Sequence, residues 1–151
     1  MPIADVAGLR LVTVAPDDTV QSAIRRMLAE SVGAVAVCEG PRLVGIFTER
    51  DVLRLAGEGE PIAELTVGDV MTTRLVTVAP DDDVLAVAHL MREHRIRHVP
   101  VLQGENLLGV AGIRDVLGVL AERLWRLHDP EARETIRELL ARPSRASTAI
   151  S

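Results

Sequence analysis

Residues 11–18 read LVTVAPDD, and residues 75–82 read LVTVAPDD again. Shifting the chain by sixty-four positions extends that match without a gap, from 3–56 onto 67–120. About 22 of the 54 aligned pairs are identical, which makes chance an implausible cause. Asp5 falls on Asp69, Met27 on Met91, Gly45 on Gly109, and Arg50-Asp51-Val52-Leu53 on Arg114-Asp115-Val116-Leu117. A register kept over that length means two copies of one folding unit.

The unit reads strand, helix, strand, strand, helix. In the first copy, 9–14 is rich in β-formers and Pro16 breaks it. Asp17 and Asp18 suit the cap of a following helix. Val20, Ala23, Ile24, Met27 and Leu28 then recur at helical spacing and form one apolar face. Residues 34–38 and 42–48 read as strands joined by a Glu-Gly-Pro turn, and 49–55 opens a second helix. In the second copy the same order falls on 74–78, 81–93, 98–102, 106–111 and 113–127. The expected division is a first unit at 3–58, a linker at 59–66 with a helical turn over 63–71, and a second unit at 67–127. A C-terminal helix and polar tail then fill 128–151. The helix is expected over 131–142, stopped by Pro143, with Ala132, Ile136, Leu139 and Leu140 on one side. One copy buries little alone, so the pair is expected to pack as a pseudo-twofold.

Composition excludes several function classes. The chain of 151 residues is 48% hydrophobic, which fits a globular chain. The net charge of −5 argues against nucleic acid as a partner, because phosphate backbones need a basic face. Phe47 and Trp125 are the sole aromatics, so base stacking on aromatic platforms is not expected. All basic residues are arginine, which removes Schiff-base lysine chemistry. No apolar run is long enough for a membrane span, and neither a membrane span nor a signal peptide is expected. A single cysteine, Cys38, rules out an internal disulfide framework and fits a reducing cytoplasm.

The motifs DVMT at 69–72, TVAPDD at 13–18 and 77–82, RHVPV at 97–101 and GIFTERDVLR at 45–54 stand in order within this repeat. In that arrangement the chain resembles the cystathionine-β-synthase (CBS) domain pair, over roughly residues 5–127. The resemblance implies a mixed α+β or α/β fold: a tandem CBS domain pair of two β-α-β-β-α units related by pseudo-twofold symmetry, plus the C-terminal helix. It implies a non-catalytic regulatory module. Such a module binds an adenosine-containing ligand (AMP, ADP, ATP, NAD or S-adenosylmethionine) in clefts between the copies, with no obligatory cofactor. It also implies a homodimer through helical faces and leaves room for an unidentified regulated protein.

Thr48 and Asp51 sit three apart where a strand enters a helix. A hydroxyl and a carboxylate there suit a phosphate and the ribose hydroxyls, beside unpaired helix N–H groups. The resemblance gives this Thr-x-x-Asp those contacts; the alternative is a plain N-cap with a solvated acid. The resemblance also implicates Thr13, Val14, Val35, Arg50, Thr77, Val78, Arg97, His98, Val99, Pro100, Arg114 and Asp115. The copies are unequal. Gly112 replaces Thr48 in the second, while Arg97-His98-Val99-Pro100 faces Gly33-Ala34-Val35-Ala36 in the first. His94 and His98 are divided by a helix-to-strand break, Cys38 aligns with apolar Leu102, and no nucleophile–base–orienter set is present. Neither a metal site nor an enzyme is therefore expected. The competing reading is a structural dimerisation or protein-interaction module with degenerate ligand sites.

Overall fold

The computed structural model describes residues 1–6 and 8–127, together with Glu134, Arg137 and Ala141. A 3-10 turn at Ile3–Asp5 precedes β1 (Thr13–Val14), α1 (Val20–Glu30), β2 (Ala34–Glu39), β3 (Arg42–Thr48) and α2 (Glu49–Gly57). A short α3 (Val67–Val70) leads into α4 (Val84–His94), β4 (His98–Gln103), β5 (Asn106–Gly112) and α5 (Ile113–Leu127). The duplicated order is present, and both hairpins carry the same register shift, at Val37/Cys38 and at Val101/Leu102.

Two expected strands are shorter than their sequence pattern, for identifiable reasons. Only Thr13–Val14 of 9–14 pairs with β2, in parallel. Arg10 leaves to bridge β5, where the Val110 N–H donates to its carbonyl at 2.9 Å. In the second copy, 74–78 contributes a single bridge, Val78 to Val101. The first copy has an extra rung, the Ala36 N–H donating to the Val12 carbonyl at 3.0 Å. Pro100 stands in Ala36's place and has no N–H to give. The first sheet therefore has three strands and the second two.

The helix starts also differ from the sequence reading. Asp18 and Asp82 accept from Ala15 N–H at 2.8 Å and Ala79 N–H at 2.9 Å, closing the turn before each helix. The caps are the next residues. The Ser22 N–H donates to the Thr19 hydroxyl at 3.1 Å, and the Leu85 N–H donates to Asp83 at 3.0 Å. Leu28, expected on the apolar face, is 74% exposed.

Each repeat is completed by the segment that precedes the other. The Ile3 N–H donates to the Asp82 carbonyl and the Val67 N–H to the Asp18 carbonyl, both at 2.8 Å. Ile3, Val6 and Leu9 pack in the core of the second repeat with Val84, Val87, Met91, Val99 and Val116. Val67, Ile62, Leu65 and Met71 pack in the core of the first, with Val20, Met27, Val35 and Phe47. Burial of each Val or Ile is worth ~1.5–3 kcal/mol, so these exchanged segments tie the two repeats together. A third layer between the sheets holds Ala34, Ala36, Ile46 and Val110, with Cys38, Leu75 and Leu107 at its margin.

Most of the expected C-terminal helix and all of the polar tail lie outside the described residues, including Ala132, Ile136, Leu139 and Leu140. Glu134, Arg137 and Ala141 are helical. The Arg137 guanidinium lies 4.3 Å from the centroid of the Trp125 ring. Among the described residues no helix is long and apolar enough to cross a membrane.

Candidate functional site

The N-termini of α2 and α5 carry the duplicated Arg-Asp pair. Thr48 ends β3 in extended conformation and caps α2. Its N–H donates to Asp51 Oδ2 at 2.9 Å and its hydroxyl donates to the same oxygen at 3.2 Å. The side chains thus form a capping-box arrangement. Asp51 is not solvated: its side chain is 13% exposed. The nearest cation to Oδ1 is the Arg54 guanidinium, at 3.7 Å. One carboxylate oxygen, Oδ2, is committed to the helix cap, and the other, Oδ1, forms a long ion pair with Arg54 and accepts no hydrogen bond from the described residues.

The second copy builds a different corner. Gly112 supplies no hydroxyl. Asp115 is packed against Gly8, whose φ of 95° is left-handed; a Cβ there would overlap the Asp115 carboxyl group. Burial pushes the Asp115 carboxyl up, opposed by His98 and Arg114. His98 stands at the junction of the repeats. A Cβ on Gly33 would lie 3.1 Å from both His98 Nε2 and Glu49 Oε1, and one on Gly112 would lie 3.8 Å from His98 Nε2. Burial pulls the imidazole's pKa down. Glu49 and Asp115 pull it back up, and Arg97 pushes it down further.

The other implicated residues divide by strand alternation. Val14, Val35, Val78 and Val99 point into the helix-side cores, Val35 and Val99 with no exposure at all. Ala36 lies in the layer between the sheets, and Pro100, its counterpart, is buried on the corresponding face of β4. Thr13 is half-buried on β1 and Thr77 is exposed. Arg114 is exposed at the start of α5. Arg50 and Arg97, from different repeats, line one groove of about 510 Å³. Arg92, Arg95 and His89 of the α4 region line it too and were not singled out from the sequence. A comparison of the two copies carries the signal, since Leu28 and Ser31 stand where the second copy has Arg92 and Arg95.

Among the described residues no three His, Cys, Asp or Glu side chains are grouped to hold a metal ion. Cys38 is half-buried beside the inter-sheet layer, and burial raises its thiol pKa, the opposite of nucleophile activation.

Comparison with known proteins agrees with this architecture. The CBS domain profile matches twice, at residues 3–58 and 67–122. The chain is 39% identical over 122 residues to the CBS domain-containing protein CBSX3, mitochondrial, of Arabidopsis thaliana; the match covers 74% of this chain and 59% of that protein. It superposes on a CBS-domain containing protein of Agrobacterium tumefaciens with a TM-score of 0.74 and 31% identity, over 80% of this chain and 99% of that one. A CBS domain protein of Pyrobaculum aerophilum, solved in complex with AMP, matches with a TM-score of 0.72 and 25% identity, over 81% and 99% of the respective chains. With two profile matches in register with the internal repeat, and the same fold in solved relatives, the chain belongs to the CBS domain family as a tandem pair.

Proposed function

We propose that the protein is a non-catalytic regulatory module that binds an adenosine nucleotide between its repeats and signals occupancy by a change in conformation or dimer geometry. The observation that carries this reading is the state of Asp51. Oδ2 is held by Thr48, while Oδ1 keeps an acceptor position for a ribose hydroxyl at a helix N-terminus, where phosphate is also favoured. The AMP complex of the Pyrobaculum relative supports the ligand class. Candidate contacts are Thr13, Thr48, Arg50 and Asp51 from the first repeat and Thr77, Arg97, His98, Arg114 and Asp115 from the second. A thermal-shift titration with AMP, ADP, ATP, NAD and S-adenosylmethionine tests it. Tm should rise with the concentration of at least one of them, as mass action requires of a native-state binder. A Tm unmoved by all five at millimolar concentration would sink it.

A structural interaction module is the second reading, favoured by exposed leucines. Leu53 on α2 and its counterpart Leu117 on α5 are 74% and 48% exposed, and Leu124 follows on the same helix. We propose a homodimer through these helix faces, compatible with either reading. Light scattering should give twice the chain mass at micromolar concentration, and Leu53→Glu with Leu117→Glu should reduce it to one.

A further inference from the structure

We infer that the end of α5 is a docking face for the chain's own C-terminal segment, which lies back along it as an antiparallel helix with Arg137 seated on Trp125. The duplication shows that this end is not needed by the repeat itself. α2 stops at Gly57, which aligns with Ala121, whereas α5 continues to Leu127. The core of the second repeat takes Ile113, Val116, Val119 and Leu120 from α5 and, among the described residues, nothing beyond them. Trp125 is nonetheless half-buried. The Arg137 guanidinium, 4.3 Å from its ring centroid, stands where the ring face attracts a cation.

That contact fixes the direction of the chain. Trp125 and Arg137 are both helical and twelve residues apart. One continuous helix would hold their Cα atoms ~18 Å apart, at about 1.5 Å per residue. Both side chains would lean toward the helix N-terminus and could not close that gap. The chain therefore turns back between them. Asp129 and Pro130 lie in the interval, and their residue types suit a helix cap and a first helical position. Connections this short join antiparallel neighbours.

The sequence supplies the matching face. Glu134, Arg137 and Ala141 are exposed, and their spacing of three and four puts them on one side of a helix. Ala132, Ile136, Leu139 and Leu140 recur on the other side of the same period. An apolar stripe needs a cover, and α5 beside Trp125 is the surface to which Arg137 ties it. The segment takes the end of α5 and leaves Leu53 and Leu117 to a second copy. The inference therefore stands apart from both the adenosine reading and the homodimer.

Trp125 is the chain's single tryptophan, so the fluorescence of the full chain reads this site alone. Ile136→Glu with Leu140→Glu places charge in the docking face. Its emission should shift to the red and acrylamide quenching should rise above the wild type, while the repeats still unfold in one cooperative urea transition. Arg137→Gln removes the cation alone and should also raise quenching, by less. Ala141→Gln, on the exposed side, should leave emission and quenching as in the wild type. Wild-type fluorescence in the Ile136→Glu, Leu140→Glu variant, or an equal change from Ala141→Gln, overturns the proposal. The Leu53→Glu, Leu117→Glu variant decides the occupant. Trp125 still protected there supports the chain's own segment; quenching that rises there assigns the cover to a second copy and overturns the proposal.

Discussion

Ile3 is held by Asp82: its N–H donates to the Asp82 carbonyl at 2.8 Å, and its side chain is fully buried in the second repeat. The first residues of the chain are thus part of a core built some eighty positions later. Ile3→Ala should destabilise the protein by ~2–5 kcal/mol, the usual cost of emptying a core isoleucine. Ala4→Ser, at an exposed position, should change stability by less than ~0.5 kcal/mol. Urea unfolding followed by circular dichroism measures both. Equal midpoints would show that the exchanged segment contributes nothing.

Gly45 admits the strand-like segment that closes the first sheet. A Cβ there would lie 2.5 Å from Met71 Sδ and 3.1 Å from the Thr72 carbonyl oxygen. Thr72 cannot retreat easily, because it exchanges two hydrogen bonds with Ile46 at 2.9 and 3.0 Å. Gly45→Ala should therefore cost ~1–3 kcal/mol by overpacking. Gly118 lies within α5, and a Cβ there would meet nothing within 4 Å. Gly118→Ala should stabilise by ~0.5–1 kcal/mol. Opposite signs for the two alanines, read as Tm shifts, are the expected outcome.

His98 and Asp115 give opposite pH dependences. Burial lowers the folded pKa of His98 below its usual value of about 6.5. The unfolded chain then binds the proton better, so stability falls as pH drops through that window. Asp115 has a raised folded pKa, so its contribution is present below the usual carboxylate value and is lost as pH rises through the folded one. Between about pH 7.5 and about pH 5.5 the histidine should dominate, because that interval includes its unfolded pKa. Wild-type Tm should fall more over that interval than the Tm of His98→Asn. Parallel curves would show that His98 is not desolvated as described.

Asp51 and Asp115 should differ as ribose ligands. Asp51→Ala should cost ~1.5–3 kcal/mol of AMP binding, about tenfold or more, through loss of a charge-assisted hydrogen bond. Asp115 lies against Gly8, lacks the hydroxyl at Gly112 and pays to ionise, so Asp115→Ala should cost less. Calorimetry on the two variants decides the order. A larger loss from Asp115→Ala would show that the Arg97–His98 side outweighs the Thr48–Asp51 turn.

The repeat, the element order and the family were legible in the sequence because they depend on local pattern. Period-two and helical spacings, turn residues and a duplicated LVTVAPDD survive in one dimension. That Thr48 and Asp51 share one helix start was legible for the same reason, but that Asp51 turns one oxygen back onto the Thr48 N–H and hydroxyl was not. Strand lengths were not. Whether 74–78 forms a strand depends on whether its neighbour can donate, and Pro100 cannot. Nor could the sequence show that Ile3 belongs with Met91 and Val67 with Phe47, because burial is decided by which surfaces meet. The convergence of Arg50 with Arg92, Arg95 and Arg97 is likewise a tertiary fact. Each arginine alone reads as a solvated charge. Packing two repeats against each other brings a residue of one to a groove of the other and concentrates their field.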